Sequence, residues 1–306
     1  MNKSASITVL QKKISWEEID KEYLNLLLKL CLEEEVTKNY FHHPSLGDIS
    51  TKSSNISGTA RANIVTREKI VCSGLNIYPH IFEVFGARNL SFLKLYEDGE
   101  TVQSNSKIAK IDGDISDILL IERTLLNFIQ RLSGIATFTE NIVQKIGKYN
   151  VNLLDTRKTI PGMRYLEKYA TGCGGSYNHR LGLYDRILIK DNHLASRSVK
   201  NKSDLICFAR EVRSQSPNAF IEIEVDSIEF ALALTSNEVN AVLLDNFKIE
   251  DVIHVREKID QELVIEVSGG ISASNIEDYA SCGPDFISTG APTHSSRWVD
   301  IGLDWY

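Results

Sequence analysis

The chain has 306 residues, of which 42% are hydrophobic and 25% are charged, and its formal net charge at pH 7 is −7. That length suffices for one large domain or two modest ones with a full hydrophobic core. The negative charge argues against a general nucleic-acid or membrane-surface binder, because such partners usually call for an excess of Lys and Arg.

The N-terminal segment, MNKSASITVLQKKISWEE, lacks the apolar core of a signal peptide. Further along, no run of about 18 apolar residues is available to span a bilayer. The five cysteines are widely separated and show no CxxC spacing, which favours a reducing compartment. These features predict a soluble, cytoplasmic protein with no membrane partner.

The first half of the chain contains three regions with different sequence patterns. Residues 16–35 carry apolar side chains at helical spacing, with Ser15 available as the N-cap, and predict a helix. From residue 58 to residue 111, short β-prone pieces separated by turn sequences predict a small antiparallel sheet with one helix around IYPHIFEVF. The next stretch, up to residue 146, is helical and could consist of two helices that meet near Ser133 and Gly134.

The second half alternates short apolar, β-branched runs with helical segments, which indicates a parallel α/β sheet buried on both faces. Nearly every run ends in a polar residue. Because the carboxyl ends of strands converge at one face of a (β/α) barrel, this regularity favours a barrel over an open doubly wound sheet. About 160 residues is short for eight βα units, so fewer strands are expected. The strand-end residues are Asp155, Arg157, Lys190, Glu224, Asp226, Asp245, Ser268 and Thr289.

Residues 155–194 concentrate positive charge around a Gly-Gly pair, although the chain as a whole is acidic. Cations interleaved with Gly, Asn and His between two apolar runs predict a local pocket for a strongly anionic ligand. The cations of this segment are Arg157, Lys158, Arg164, Lys168, His179, Arg180, Arg186 and Lys190.

Several strand ends allow more than one chemical interpretation. EVSGG, with Gly269 and Gly270, is either a phosphate-binding segment or a tight turn. Glu224 and Asp245 could hold Mg²⁺, contact ribose hydroxyls or form ordinary salt bridges. A strand-end lysine, at 158 or 190, could be a Schiff-base nucleophile, a fixed charge or a solvated surface residue. No HxH or HExxH arrangement supports a zinc site.

Seven segments in this order and spacing resemble the quinolinate phosphoribosyltransferases, the decarboxylating nicotinate-nucleotide pyrophosphorylases of NAD biosynthesis. They are ERTLLNFIQRLSGIAT, DTRKTIPGMRYLEKYA, CGGSYNHRLGLYDRILIKDNH, EIEVDS, LLDNF, SGGI and ISTGAPTHS. The resemblance implies an N-terminal α/β sandwich over residues 1–131 and an open (β/α) barrel of six or seven strands over residues 132–293. It also implies that residues 294–306 return to the first domain, and that the chain forms a homodimer or a higher oligomer.

The resemblance carries over to particular residues. It implies quinolinate binding by Arg123, Arg157, Lys158, His179 and Arg180, with Arg123 contributed to the neighbouring subunit's site, and substrate binding by Thr156. It places Lys190 between the two substrates and Glu224 and Asp245 near the ribose and Mg²⁺, with catalytic roles for Lys158, Lys190 and both carboxylates. The implied phosphate-binding residues are Ser268, Gly269, Gly270, Thr289 and Gly290.

The implied reaction is phosphoribosyl transfer from phosphoribosyl pyrophosphate to quinolinate with loss of CO₂, using Mg²⁺ and no organic cofactor. Ser176 and Pro292 depart from the family's pattern, and the segment 195–204 is lengthened. These departures leave open a related transferase acting on another heteroaromatic acid. A Schiff-base barrel aldolase and a non-catalytic nucleotide-binding protein are the remaining alternatives.

Overall fold

The computed structural model describes residues 1–37 and 46–306. Its helices are α1 (Lys3–Leu10), α2 (Lys21–Val36), α3 (Ile49–Ser53), α4 (Tyr78–Phe85), α5 (Ile115–Ile146), α6 (Arg164–Cys173), α7 (Asp191–Ser196), α8 (Lys202–Gln215), α9 (Ile228–Ala231), α10 (Ile249–Lys258), α11 (Ile276–Ser281) and α12 (Ala291–His294). Its strands are β1 (Thr59–Thr66), β2 (Ile70–Val71), β3 (Leu90–Lys94), β4 (Thr101–Val102), β5 (Lys107–Asp114), β6 (Asn152–Leu154), β7 (Ile187–Ile189), β8 (Ile221–Val225), β9 (Ala241–Asp245), β10 (Val264–Ser268), β11 (Phe286–Ser288) and β12 (Ile301–Trp305). Within this described part, no helix combines the length and apolar character that a membrane span requires.

The chain divides into two compact units, each assembled from three segments. The parallel unit comprises Met1–Lys13, Thr139–Thr159 and Gly175–Ser295, and the antiparallel unit comprises Ile14–Phe138, Ile160–Gly174 and Ser296–Tyr306. A single boundary between residues 131 and 132 does not describe this division. The first thirteen residues cluster with the parallel sheet, and residues 160–174, which contain α6, cluster with the antiparallel one.

The antiparallel unit contains a four-stranded sheet in the order β12-β1-β5-β3 and a separate β2-β4 pair. The C-terminal strand β12 pairs with β1 from Ala62 and Trp305 to Thr66 and Ile301. Inward-facing residues of β1 and β5, such as Ile64 and Ile111, are buried in one core with the apolar faces of α2, α4 and α5. This architecture confirms the small antiparallel sheet and the helix at IYPHIFEVF predicted from the sequence.

The first long helix begins later than its sequence pattern predicts. Ser15 precedes a 3₁₀ turn, Trp16–Glu18, and the α-helix starts only at Lys21, where the Asp20 side chain accepts a hydrogen bond from the Tyr23 backbone N–H at 2.8 Å. Asp20 therefore replaces Ser15 as the N-cap of α2, because a capping side chain satisfies the free N–H groups of the first turn.

The helical stretch near Ser133 and Gly134 is one continuous helix of 32 residues and has no break. The glycine has a packing role, since a Cβ at Gly134 would lie 2.2 Å from the backbone oxygen of Arg297. The Ser133 hydroxyl accepts from the Ser73 N–H at 2.9 Å and donates to the Ser73 carbonyl at 3.1 Å. Both small residues are thus explained by close contacts within the antiparallel unit.

The parallel unit is built on a six-stranded parallel sheet in the order β6-β11-β10-β9-β8-β7. Its strands are apolar and largely buried, as β10 illustrates with four of its five residues buried. Helices alternate with the strands along the chain, so the sheet is covered as strands of this composition require. The predicted open (β/α) barrel of six or seven strands is confirmed, with six.

Helix α1 packs at the parallel sheet, on the side of the N-terminal strand ends. Asn2 caps it by accepting from the Ala5 N–H at 2.9 Å, and the Lys3 ammonium lies 2.8 Å from the Asp285 carboxylate. Leu10 is completely buried in a small core that also contains Leu154, Phe220, Ala241, Val264 and Phe286. The N-terminal helix therefore closes the core at this end of the sheet.

Replacing Leu10 by Ala is expected to lower the free energy of unfolding by about 2–5 kcal/mol, because the core around a fully buried leucine can only partly collapse. Urea denaturation followed by circular dichroism measures this change. Leu26 is 72% exposed on α2, so Leu26→Ala is the matched control and should change stability by less than about 0.5 kcal/mol. Equal, small effects of both substitutions would contradict a core role for α1.

Candidate active site

One cavity of about 280 Å³ gathers the strand-end side chains of the parallel unit. Its lining residues are Thr156, Arg157, Lys158, His179, Arg180, Leu188, Lys190, Glu224, Leu243, Asp245, Ser268, Gly269 and Ser288. All of these except Leu188, Leu243 and Ser288 are site residues predicted from the sequence. The structure therefore brings the predicted cations and carboxylates to one place.

Other predicted residues lie outside this lining. Arg123 is exposed on α5 and belongs to the antiparallel unit, as do Arg164 and Lys168 of α6. The cationic segment of residues 155–194 is thus divided between the two units. Sequence proximity alone did not indicate this division, because α6 carries its apolar face into the antiparallel core.

A tight turn after β6 positions Thr156, Arg157 and Lys158, three site residues predicted from the sequence. The Thr156 hydroxyl accepts from the Lys158 backbone N–H at 3.0 Å, and the Lys158 carbonyl accepts from the Thr293 hydroxyl at 2.6 Å. A Cβ at Gly290 would lie 3.2 Å from the Lys158 side chain. Gly290 therefore packs against this lysine, although it does not line the cavity itself.

Asp155, one of the strand-end residues identified in the sequence, anchors the second cationic loop. It is fully buried at the end of β6, and its two oxygens accept from the His179 backbone N–H at 2.8 Å and from the Asn178 side chain at 2.7 Å. A buried carboxylate requires hydrogen-bond donors, and residues 178 and 179 supply them.

Arg180 lies in the cavity wall, although neighbouring positive charges repel its guanidinium group. Burial lowers its pKa, as do the nearby positive charges of Arg157 and Arg186, while Glu222 and Asp185 act in the opposite direction. Its side chain donates to the Arg186 carbonyl at 3.5 Å. A site in which buried guanidinium groups repel each other is stabilised when an anion binds.

Two carboxylates project from neighbouring strands into the same cavity. Glu224 of β8 accepts a hydrogen bond from the Lys190 ammonium, and Asp245 of β9 accepts from the Asn246 side chain at 2.7 Å. Lys190 directly precedes α7, and its backbone N–H donates to His193 Nδ1 at 2.9 Å. Carboxylate oxygens on adjacent strand ends are the donor type that Mg²⁺ prefers, so these residues fit that ion.

Gly269 adopts a backbone conformation that favours glycine. Its φ is +87°, and a Cβ there would lie 2.4 Å from the Asn246 side-chain oxygen. Close by, the Thr289 hydroxyl donates to the Ile271 carbonyl at 2.6 Å and accepts from the Ala291 N–H at 3.1 Å. The residues after β10 and β11 therefore form compact loops whose backbone can approach a ligand closely.

Glu222 and Glu266 form a fully buried acid pair that the sequence-based site missed. Each lies two residues before a cavity residue, Glu224 and Ser268 respectively, and side chains two apart on a strand share a face. Burial, followed by the charge of Glu266, raises the pKa of Glu222 to about 7. Burial also raises the pKa of Glu266. The sequence signal for this pair is a glutamate inside an apolar strand, two residues before the polar residue that ends the strand.

This acid pair predicts that the folded protein loses stability as the pH rises from 4.5 towards 7. In that range folded Glu222, with its pKa of about 7 against an ordinary value of 4.5, keeps a proton that the unfolded chain has released. The loss should approach about 3 kcal/mol. Urea denaturation at several pH values, with EDTA present, should show a flatter profile for Glu222→Gln. Parallel profiles for the two proteins would contradict a raised pKa.

The departures from the family's pattern lie outside the cavity lining. The Ser176 hydroxyl is buried and hydrogen-bonds to the backbone carbonyls of Leu153 and Tyr177 at 3.1 and 2.9 Å. Pro292 is buried in the first turn of α12. The lengthened segment 195–204 ends α7 and begins α8, whose N-cap is Asn201. The first two changes are thus accommodated within the fold of the parallel unit.

Comparison with known proteins matches most of the chain to one family. Residues 48–133 match the N-terminal domain of quinolinate phosphoribosyl transferase, and residues 135–304 match its C-terminal domain. The chain is 38% identical over 262 residues to a nicotinate-nucleotide pyrophosphorylase [carboxylating] of Mycobacterium leprae, covering 84% of this chain and 90% of that one. It is 37% identical over 294 residues to a probable enzyme of the same name from Methanocaldococcus jannaschii, covering 93% and 98%.

Solved structures agree with the sequence matches. The structure of the nicotinate-nucleotide pyrophosphorylase from Francisella tularensis superposes with a TM-score of 0.83 at 33% identity, covering 94% of this chain and 98% of that one. The corresponding structure from Ehrlichia chaffeensis gives a TM-score of 0.82 at 34% identity, covering 96% and 100%. On these grounds the chain belongs to the quinolinate phosphoribosyl transferase family.

Proposed function

We propose that this protein transfers the phosphoribosyl group of phosphoribosyl pyrophosphate to quinolinate, releasing pyrophosphate and CO₂ and forming nicotinate mononucleotide in NAD biosynthesis. The observation that carries this proposal is the cavity in which Arg157, Lys158, His179, Arg180 and Lys190 face the two strand-end carboxylates. Quinolinate is a dianion and phosphoribosyl pyrophosphate carries more charge still, so a closed site must replace their hydration with several fixed cations.

The cations divide by chemistry between the two substrates. Arg157 and Arg180 present planar donor groups suited to the carboxylates of quinolinate, whereas the ammonium group of Lys190 is a compact charge suited to phosphate. The compact ammonium group of Lys158, which the resemblance assigns to quinolinate, can contact both anions. The contact between Lys190 and Glu224 favours a fixed charge over a Schiff-base nucleophile, because the nucleophile would have to be a free amine. A transferase site therefore explains Lys190 better than an aldolase site does.

Glu224 and Asp245 are placed to stabilise the reacting ribose. As pyrophosphate departs, the ribose C1 gains oxocarbenium character, and two nearby carboxylates favour that positive charge. Mg²⁺, when bound by these oxygens and the substrate phosphates, would favour the leaving group. The pyridine nitrogen bonds to C1 as the bond to pyrophosphate breaks. The resulting pyridinium accepts the electron pair released with CO₂, and the ring carbon then takes up a proton.

Incubation with quinolinate, phosphoribosyl pyrophosphate and Mg²⁺ tests this function directly. CO₂ and nicotinate mononucleotide are expected in equal amounts, and neither should form when Mg²⁺ is replaced by EDTA. Nicotinate replaces quinolinate in the control reaction and should not be converted. Conversion of nicotinate without CO₂ release would assign the protein to a different phosphoribosyl transfer.

We further propose a cytoplasmic homodimer in which Arg123 completes the neighbouring subunit's site. Arg123 is exposed on α5 and lies in the antiparallel unit, and a two-fold interface would repeat its contribution at both sites. The five cysteines are all free, which is in keeping with the reducing environment of the cytoplasm.

Mixing two inactive variants, Arg123→Ala and Lys190→Ala, tests the contribution of Arg123. If Arg123 acts in the partner's site, each mixed dimer has one intact site and one doubly damaged site. Random assortment after unfolding, mixing and refolding should therefore recover roughly a quarter of the wild-type activity. Mixed dimers confirmed by native mass spectrometry but showing no recovery would place Arg123 in its own subunit's site or outside catalysis.

A further inference from the structure

Arg186 is a buried cation that the proposed mechanism does not use. It directly precedes β7, its side chain is 5% exposed, and its guanidinium lies 5.6 Å from the ring centroid of Phe220. Within residues 1–37 and 46–306, neither Nε nor Nη2 of Arg186 has a hydrogen-bond partner. Burying a guanidinium group whose donors form no hydrogen bonds costs free energy, unless a nearby negative charge offsets that cost.

The charge nearest to Arg186 belongs to the buried acid pair. Arg186 Nη2 lies 3.5 Å from Glu222 Oε2, and the Arg186 charge also lowers the pKa of Glu266, although burial raises it more. The acid pair in turn lies beside the cavity, since His179 Nε2 is 3.5 Å from Glu266 and 3.8 Å from Glu222. Arg186 thus offsets a negative charge that is close to the wall where an anionic substrate would bind.

His179 lines the cavity and also lies next to the acid pair. Together these three residues do not form a metal site. His179, Glu222 and Glu266 place three possible ligand atoms within 4.8 Å of one another. However, His179 Nδ1 accepts a hydrogen bond from the Arg180 backbone N–H at 2.8 Å. The ring therefore carries its proton on Nε2, the nitrogen that faces the two glutamates, and that atom has no lone pair for a metal.

We propose that Arg186 is a specificity-determining residue that lets the cavity bind a dianionic pyridine dicarboxylate in preference to a monocarboxylate. It acts by offsetting the buried charge of Glu222 and Glu266 and by adding to the positive potential around Arg180. This inference rests on the proposed function. The electrostatic free energy of binding scales with the charge of the ligand. A change of roughly threefold in the Kd of a monocarboxylate therefore corresponds to a change of about tenfold in the Kd of a dicarboxylate.

Calorimetric titration of the whole protein with quinolinate, nicotinate and phosphoribosyl pyrophosphate tests the proposal. Arg186→Met should raise the Kd for quinolinate about tenfold and the Kd for nicotinate roughly threefold. Arg186→Lys retains the charge and should bring the Kd for quinolinate back to within about threefold of wild type.

Arg256→Met is the matched control, because Arg256 Nη1 lies 3.6 Å from Asp285 Oδ2, away from the residues that line the cavity. This control should leave all three Kd values unchanged. If Arg186→Met does not fold, Arg186→Met combined with Glu222→Gln removes both members of the pair. That double variant should have a ratio of nicotinate Kd to quinolinate Kd about threefold below the ratio of Glu222→Gln alone.

An unchanged ratio in the folded variants, or equal losses for all three ligands, would overturn the role of Arg186 and leave the proposed function intact. Failure of the wild-type protein to bind quinolinate would instead overturn the proposed function. The two failures are therefore distinguishable in one set of titrations.

Discussion

Replacing Arg180 by Met is expected to raise the Kd for quinolinate by roughly 10- to 150-fold, because removing a charged hydrogen bond from a closed site costs about 1.5–3 kcal/mol. The Kd for phosphoribosyl pyrophosphate should change far less, since we propose that the compact ammonium group of Lys190 serves the phosphates. Titration calorimetry with each substrate separately measures both values.

The same substitution should stabilise the ligand-free protein. Burial lowers the pKa of Arg180, and the charges of Arg157 and Arg186 lower it further, so an uncharged side chain of similar length relieves repulsion. Arg180→Met should therefore have a higher Tm than wild type without substrate. Arg61→Met, which removes an exposed arginine paired with Asp112, is the control. Equal losses of affinity for both substrates would contradict the proposed division between arginines and lysines.

Replacing Glu224 by Gln should lower kcat by about 10²–10³-fold, because a group aimed at charge that develops in the transition state contributes mainly to kcat. The Kd for quinolinate should change little, since its carboxylates are assigned to the arginines. Steady-state kinetics over a series of Mg²⁺ concentrations should also show a higher Mg²⁺ requirement, because a neutral amide binds the ion less well than a carboxylate.

The matched control for Glu224→Gln is Glu211→Gln. Glu211 also pairs with a cation, Arg197, but it does not line the cavity. Its replacement should leave kcat and the Mg²⁺ requirement unchanged. A kcat for Glu224→Gln within about threefold of wild type would show that this carboxylate does not stabilise the reacting ribose.

The site residues at the strand ends could be predicted from the sequence because parallel strands impose a simple rule. An apolar run that ends in a polar residue marks where a strand stops, and parallel strands end at a common edge. Lys190, Glu224, Asp245 and Ser268 follow that rule and line one cavity. Local capping was harder to predict, since Asp20 and not Ser15 begins α2.

Only the tertiary structure revealed that the two buried acids behind the cavity lie close to each other. Glu222 and Glu266 lie 44 positions apart in the sequence, and they influence each other's pKa only because β8 and β10 flank β9 in the sheet. The role proposed for Arg186 likewise depends on its position near Glu222 and Phe220. Such placements depend on long-range packing of the chain.

The sequence by itself determined the order of helices and strands, the parallel sheet and the set of strand-end residues, because hydrophobic periodicity and strand termini are local properties. The tertiary structure decided that α1 packs with the parallel sheet, with Leu10 in its core, and that α6 belongs to the antiparallel unit. It also decided which buried charges face one another. These outcomes depend on apolar surface and charge brought together from distant segments, and local patterns do not encode which distant segment will cover them.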